Sequence, residues 1–240
     1  MDEHAIIQVE QMTARYGDRL VLDALTFSVN RGEIFVILGG SGCGKSTLLK
    51  HMIGLYEPTE GDVRIGGASL TQASPSERAA ILRRFGVMYQ SGALFGSMTL
   101  LENVCLPLEE FTKLDRKQRE QLAHMKLDLV GLADAAGLMP AEISGGMRKR
   151  AAIARAMALD PDILFLDEPS AGLDPVTADE LDNLIIKLSR SLHITFVVVT
   201  HELHIQDCGP GHHAGCANQN DHRGRAAGRA ARCGRRSLDP

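Results

Sequence analysis

An α/β fold on a parallel sheet is what this sequence predicts, and three apolar runs predict it. IFVIL at residues 34–38, ILFL at 163–166 and ITFVVV at 194–199 are continuous rather than alternating, the pattern of strands buried on both faces. The first is followed by a Gly-rich turn and then by STLLKHMIGL, whose apolar residues recur at helical spacing; a helical stretch at 178–191 separates the second run from the third. Strands alternating with helices are joined by crossovers, so the strands lie parallel.

The remaining elements attach to that core. Residues 6–27, IIQVEQMTARYGDRLVLDALTF, mix alternating apolar positions with a Tyr-Gly turn and predict short antiparallel strands, an N-terminal β subdomain. Strand signals vanish between Thr99 and Ala158, where Leu, Ala, Met, Lys and Glu dominate, so an inserted helical subdomain is expected at about residues 91–158. No internal repeat interrupts this plan.

Composition narrows the function classes. At 240 residues and 26.0 kDa the chain can bury a sizeable core, and its 44% hydrophobic and 23% charged residues are those of an ordinary globular protein. A formal charge of −4 leaves no basic footprint, so no nucleic-acid partner is expected. The apolar runs fall well short of the roughly 20 residues that span a bilayer, and the N-terminus MDEHAIIQVE lacks a basic n-region and a long apolar stretch; a cytoplasmic location is expected. Five cysteines, an odd number spread along the chain, do not form a disulfide framework.

Chemistry concentrates in three motifs. Gly39, Gly40, Ser41, Gly42, Cys43, Gly44, Lys45, Ser46 and Thr47 fit G-x-x-x-x-G-K-[ST] directly after a strand and before a helix. Such glycines let successive backbone N–H groups face a phosphate chain, and the helix N-terminus adds partial positive charge. Lys45 is then expected at the β- and γ-phosphates and the Ser46 hydroxyl at Mg²⁺, with ATP as the nucleotide. ILFLDEP carries Asp167 to the carboxyl end of a buried strand, where it suits the metal, and Glu168 follows as the candidate base. Neighbours on a strand point to opposite sides, so one carboxylate is expected to face the metal and the other an attacking water. The third motif, Ser144, Gly145, Gly146 and Met147, opens a helical run with a second anion-binding N-terminus.

ISGGM, about twenty residues before the aspartate, resembles the LSGGQ signature of ABC-transporter ATPases, with Met147 in the glutamine place. The resemblance covers nearly all of residues 6–203 and implies the P-loop NTPase fold of an ABC ATPase domain, a homodimer in which this loop closes on the nucleotide of a second subunit, and integral membrane permease subunits as partners. It further implies that Gln90, in VMYQSGALF, binds near Mg²⁺ and couples to the permease, that Asp174, in SAGLD, lies at the dimer interface, and that His201 contacts the γ-phosphate. Tyr16 sits where the family stacks adenine, although taken alone it reads equally well as a half-buried strand tyrosine. QSGALFGSMTLLENVCLPLEEF and GGMRKR resemble the ATPases of Mla-type phospholipid transport, also described as toluene or organic-solvent tolerance systems, rather than polar amino-acid importers. That resemblance implies an MCE-type lipid-binding protein as a further partner and a place on the cytoplasmic face of the inner membrane.

After THEL the pattern breaks. Residues 204–240 retain almost no apolar side chain, so disorder is expected there, and Cys208, His212, His213 and Cys216 raise the alternative of a metal site. Permitted codons for residues 205–234, read one frame over, can encode FKIADRVIMLDAQTKTIIAEGRPAELRDA, which has the strand, turn, strand and helix that the family carries at this place. A frameshift near Leu203 or His204 accounts for the tail, and the sheet edge it should have covered is expected to be weakened. Resequencing across the THEL codons is expected to reveal the displaced base, and a restored-frame chain is expected to hydrolyse ATP faster than the 240-residue chain; an uninterrupted frame with equal turnover would refute this.

Overall fold

The computed structural model describes residues 5–201 and the backbone of residues 213–216. Two sheets organise it. Strands β1 (Ala5–Tyr16), β2 (Arg19–Asn30), β4 (Glu60–Ile65) and β5 (Ala68–Ser69) form an antiparallel sheet in the order β2-β1-β4-β5. Strands β3 (Ile34–Leu38), β6 (Phe85–Met88), β7 (Ile163–Asp167), β8 (Thr195–Thr200) and β9 (His213–Cys216) form a parallel sheet in the order β6-β7-β8-β3-β9. The three apolar runs are thus β3, β7 and β8, side by side, while β4, β5 and β6 are additions that their short and partly polar sequences did not announce.

The continuous apolar pattern has a direct structural cause. Alternate residues of β7 and β8 enter opposite cores: Leu164, Leu166, Phe196 and Val198 pack with the helical side, and Ile163, Phe165, Val197 and Val199 pack with the antiparallel sheet. A strand sandwiched in this way has no solvent face on which to place a polar residue. On the second side α1 (Lys45–Met52) buries Leu48, Leu49 and Met52 against Phe35, Ile37 and the β1 residues Ile7 and Val9.

Helices α3 (Leu100–Phe111), α4 (Arg116–Leu129) and α5 (Gly145–Ala156) form the inserted helical region, which contains no strand. α3 and α4 start at capping boxes, Thr99 with Glu102 and Asp115 with Gln118, each satisfying backbone N–H groups that a helix start leaves open. Helices α2 (Pro75–Leu82) and α6 (Pro175–Leu192) complete the set, with Ser74 and Asp174 as N-caps.

Asn103 ties this region to the loop before it. Fully buried on α3, it accepts from the Phe95 N–H at 2.8 Å and donates to the carbonyls of Phe95, Met98 and Thr99 at 2.9–3.1 Å. The loop 95–99 has few backbone bonds of its own, and this one amide supplies them.

Within the tail, residues 213–216 form a strand whose backbone pairs with Phe35–Leu38 along the edge of β3. That edge is therefore covered over four residues by main-chain pairing, which depends little on side-chain polarity. The rest of the tail, with Cys208 and His212, lies outside the described residues.

Asn103→Ala is expected to lower unfolding free energy by about 1–3 kcal/mol, because the Phe95 N–H and the Met98 carbonyl lose this partner together. Urea denaturation checks it; a change under about 0.5 kcal/mol would mean that the loop finds other partners.

Candidate functional site

The loops at the carboxyl ends of β3, β7 and β8 converge, as open parallel sheets require of a ligand site. Between β3 and α1 the chain turns through Gly42 and Gly44, whose φ values of 79° and 98° suit glycine. A Cβ on Gly44 would stand 2.9 Å from Leu22 Cδ2 of β2, and one on Gly39 would meet Cys43 Sγ, so a side chain at either place would displace a neighbouring one. Lys45, buried, donates from Nζ to the carbonyls of Gly39 at 2.7 Å and Gly40 at 3.1 Å, which holds its ammonium across the loop. Ser46 is exposed in the first turn of α1, where no acidic side chain lies to compete with an anion.

Asp167 ends β7. Its Oδ1 is buried without a hydrogen-bond partner, and burial, then the neighbouring Glu168 charge, push its carboxyl above the ordinary carboxylate range, with Lys50, Lys149 and Lys45 pulling it back. An orphaned carboxylate oxygen at a strand end fits a hard cation, which a bound phosphate chain would help to hold against the nearby lysine charges. Among the described residues no group of three or more His, Cys, Asp or Glu could hold a metal ion.

Glu168 departs from the strand-alternation argument. Its φ is +48°, so the chain has already left the extended conformation and the carboxylate is aimed by a left-handed turn instead of by the pleat. The turn is held on three sides. The Glu168 N–H donates to Val199 O at 2.8 Å, Lys149 Nζ donates to the Glu168 carbonyl at 3.0 Å, and the carboxylate Oε2 lies 2.7 Å from His201 Nδ1. Glu168 and His201, predicted separately, therefore form one pair.

The third motif lies on α5. Ser144 is its N-cap, accepting from the Met147 N–H at 3.2 Å, and is exposed. A Cβ on Gly146 would collide with Thr177, so this glycine permits the start of α5 to press against the start of α6. Asp174 caps α6 by accepting from the Thr177 N–H and hydroxyl, and those bonds lower its pKa. Ser144, at the start of α5, and Asp174 and the apolar Val176, at the start of α6, are all exposed.

Tyr16 ends β1, about half exposed, with its ring edge-on to Tyr56 at 6.2 Å. Gln90 is exposed at the end of the β6 strand, and its carbonyl accepts from Lys149 Nζ. Lys149, Tyr56 and Asn103 were absent from the sequence-derived set. A signal existed for Lys149, since it falls in helical register with Gly146, Ala152 and Ile153 on the buried face of α5.

A phosphate-cradling loop facing an acidic strand end defines a P-loop nucleotide-binding fold. The ABC transporter family model matches residues 22–171. The chain belongs to the ABC transporter family, as an ATP-binding, ATP-hydrolysing cassette. It is 42% identical over 198 residues to the intermembrane phospholipid transport ATP-binding protein MlaF of Haemophilus influenzae, covering 82% of this chain and 75% of the relative. It is 43% identical over 199 residues to the probable ribonucleotide transport ATP-binding protein mkl of Mycobacterium leprae, covering 83% of this chain but only 57% of that one. Among solved structures, the dimeric ABC transporter cassette MJ0796 superposes with TM-score 0.77 at 32% identity, covering 88% of this chain and 94% of that one. No helix among the described residues is long and apolar enough to cross a membrane.

Asp167→Asn is expected to raise the unfolding midpoint of the nucleotide-free protein at pH 7, since the burial and like-charge cost of the carboxylate is removed. A folded-state carboxyl raised above 3.8 means that wild-type stability falls as pH rises through the folded value, so the advantage of the amide is expected to shrink as pH is lowered. Thermal scans between pH 4.5 and 7.5 check it; a variant less stable than wild type at pH 7 would contradict the reading.

Proposed function

We propose that this cassette powers the movement of phospholipid between membranes. The observation that carries the proposal is its similarity to MlaF along 82% of its length, supported by the SGALF and GGMRKR segments that flank its nucleotide site. In this reading two copies of the chain pair, each placing Ser144–Met147 and Asp174 against the nucleotide held by the other. The exposure of Ser144, Asp174 and the apolar Val176 supports such a joint. Gln90 and its loop face integral permease subunits at the cytoplasmic side of the inner membrane, and an MCE-type protein hands lipid onward.

At each site the loop 39–47 wraps the phosphates with backbone N–H groups, Lys45 moves from the Gly39 and Gly40 carbonyls to the β- and γ-phosphates, and Tyr16 supports adenine. The residues that would hold Mg²⁺ are Ser46, Gln90 and Asp167, whose orphaned Oδ1 suits it. When bound there, magnesium would supply charge neutralisation to the phosphate chain. Glu168 accepts a proton from water as the water oxygen attacks the γ-phosphorus, the bond to the bridging oxygen breaks, and ADP and phosphate leave. His201 orients the Glu168 carboxylate through its 2.7 Å contact and lies at the γ-phosphate end of the site.

The test is co-purification of the chain with its permease, reconstitution in proteoliposomes, and ATP-driven transfer of a fluorescent phosphatidylglycerol. Transfer is expected, and Glu168→Gln is expected to reduce it with ATP turnover by at least about 100-fold while ATP still binds. ATP-driven ribonucleotide uptake without lipid transfer would overturn the proposal in favour of the cargo in the mkl name.

A further inference from the structure

Lys149 is the buried cation that the roles above leave unexplained. It lies on the inner face of α5, only 7% exposed, where a lysine is seldom found without a carboxylate partner. Its ammonium makes no ion pair among the described residues. It donates instead to two main-chain carbonyls, those of Gln90 and of Glu168. Burial is the chief influence on this lysine and lowers its pKa, while the Asp167 and Glu168 carboxylates oppose that effect.

The two carbonyls belong to the two segments that must keep register for hydrolysis. Gln90 begins the loop after β6, and Glu168 occupies the left-handed turn after β7. β6 and β7 pair only from Phe85–Ile163 to Met88–Leu166, so the ladder stops before either residue. Beyond it, Lys149 is the side chain that bridges them. It comes from a third element, α5, whose own position is fixed by Ala151, Ala152, Ile153 and Ala154 in the core and by the close approach of Ala156 to Gly86. A methionine or leucine would fill the space, but it would leave the Glu168 carbonyl without this donor in a turn that already carries strain.

We infer that Lys149 is a positioning residue for ATP hydrolysis: it clamps the Gln90 and Glu168 segments at a fixed separation from the rigid face of α5. Its ammonium is bonded to the main chain of these two segments, so it acts on turnover through Glu168 and leaves nucleotide affinity to the loop 39–47. The inference rests on the assignment of hydrolysis to Glu168, and the test separates the two.

Lys149→Met and Lys149→Arg are compared with wild type in the 240-residue chain by hydrogen exchange and by steady-state ATP hydrolysis. In Lys149→Met, amides of residues 89–93 and 168–171 are expected to exchange at least about 10-fold faster, with α1 and α6 unchanged. kcat is expected to fall about 10- to 100-fold with KM for ATP within about twofold. Lys149→Arg, which keeps the charge and offers several N–H donors, is expected to restore both toward wild type. Unchanged exchange in the two segments, faster exchange spread across the core, or a failure of arginine to restore them would overturn the inference. The exchange arm decides even if turnover of the chain is low, and Glu168→Gln with wild-type turnover would sink the assignment of the base without touching the clamp.

Discussion

The turn at Glu168 is the constraint around which the site is arranged. A non-glycine residue at φ +48° costs of the order of 1–3 kcal/mol, and such a conformation persists only where neighbours over-determine it. Three neighbours do so here: Val199 of β8 takes the N–H, Lys149 of α5 feeds the carbonyl, and His201 just beyond β8 meets the carboxylate. The parallel pairing of β7 with β8 puts Asp167 beside Val199 and so brings all three within reach. Strand order, helix packing and the direction of one carboxylate are therefore linked through a single residue.

The phosphate loop depends on the same sheet. β3 pairs with β8 on the side opposite β7, so the loop after β3 opens toward Asp167 and Glu168 with β8 as the spacer. α1 is held by its apolar face against β1 and β3 residues, which fixes the helix start where Lys45 and Ser46 stand. The desolvated, partnerless Oδ1 of Asp167 is the complement of that arrangement: a position poor for stability and suited to a cation shared with phosphate.

Much of this was legible in the sequence for identifiable reasons. β3, β7 and β8 stood out because burial on both faces forces unbroken apolar runs, and Lys45, Ser46, Asp167, Ser144 and His201 stood out because each follows or opens such an element. β4, β5 and β6 were not legible, since EGDVRI, AS and FGVM gain their strand conformation by pairing with β1, β4 and β7 respectively rather than from their own pattern. The left-handed turn at Glu168 was equally hidden, because a glutamate carries no mark of positive φ. Lys149 and Asn103 look like surface residues until helical register is counted, and their partners are backbone carbonyls that no sequence motif records. In the tail, HAGC shows no strand signal, yet its backbone extends the sheet at β3.

If the strained turn is the hub, its backbone should reveal itself independently of any chemistry at the carboxylate. The direct measurement is the unfolding free energy of Glu168→Gly against Glu168→Ala by urea denaturation. Both variants lose the contact with His201, but only glycine relieves positive φ. The account predicts that the glycine variant is more stable than the alanine variant by about 1 kcal/mol, opposite to the usual preference for alanine. A glycine variant equal to or less stable than alanine would mean that Glu168 carries no backbone strain, and the turn would cease to be the feature on which the site depends.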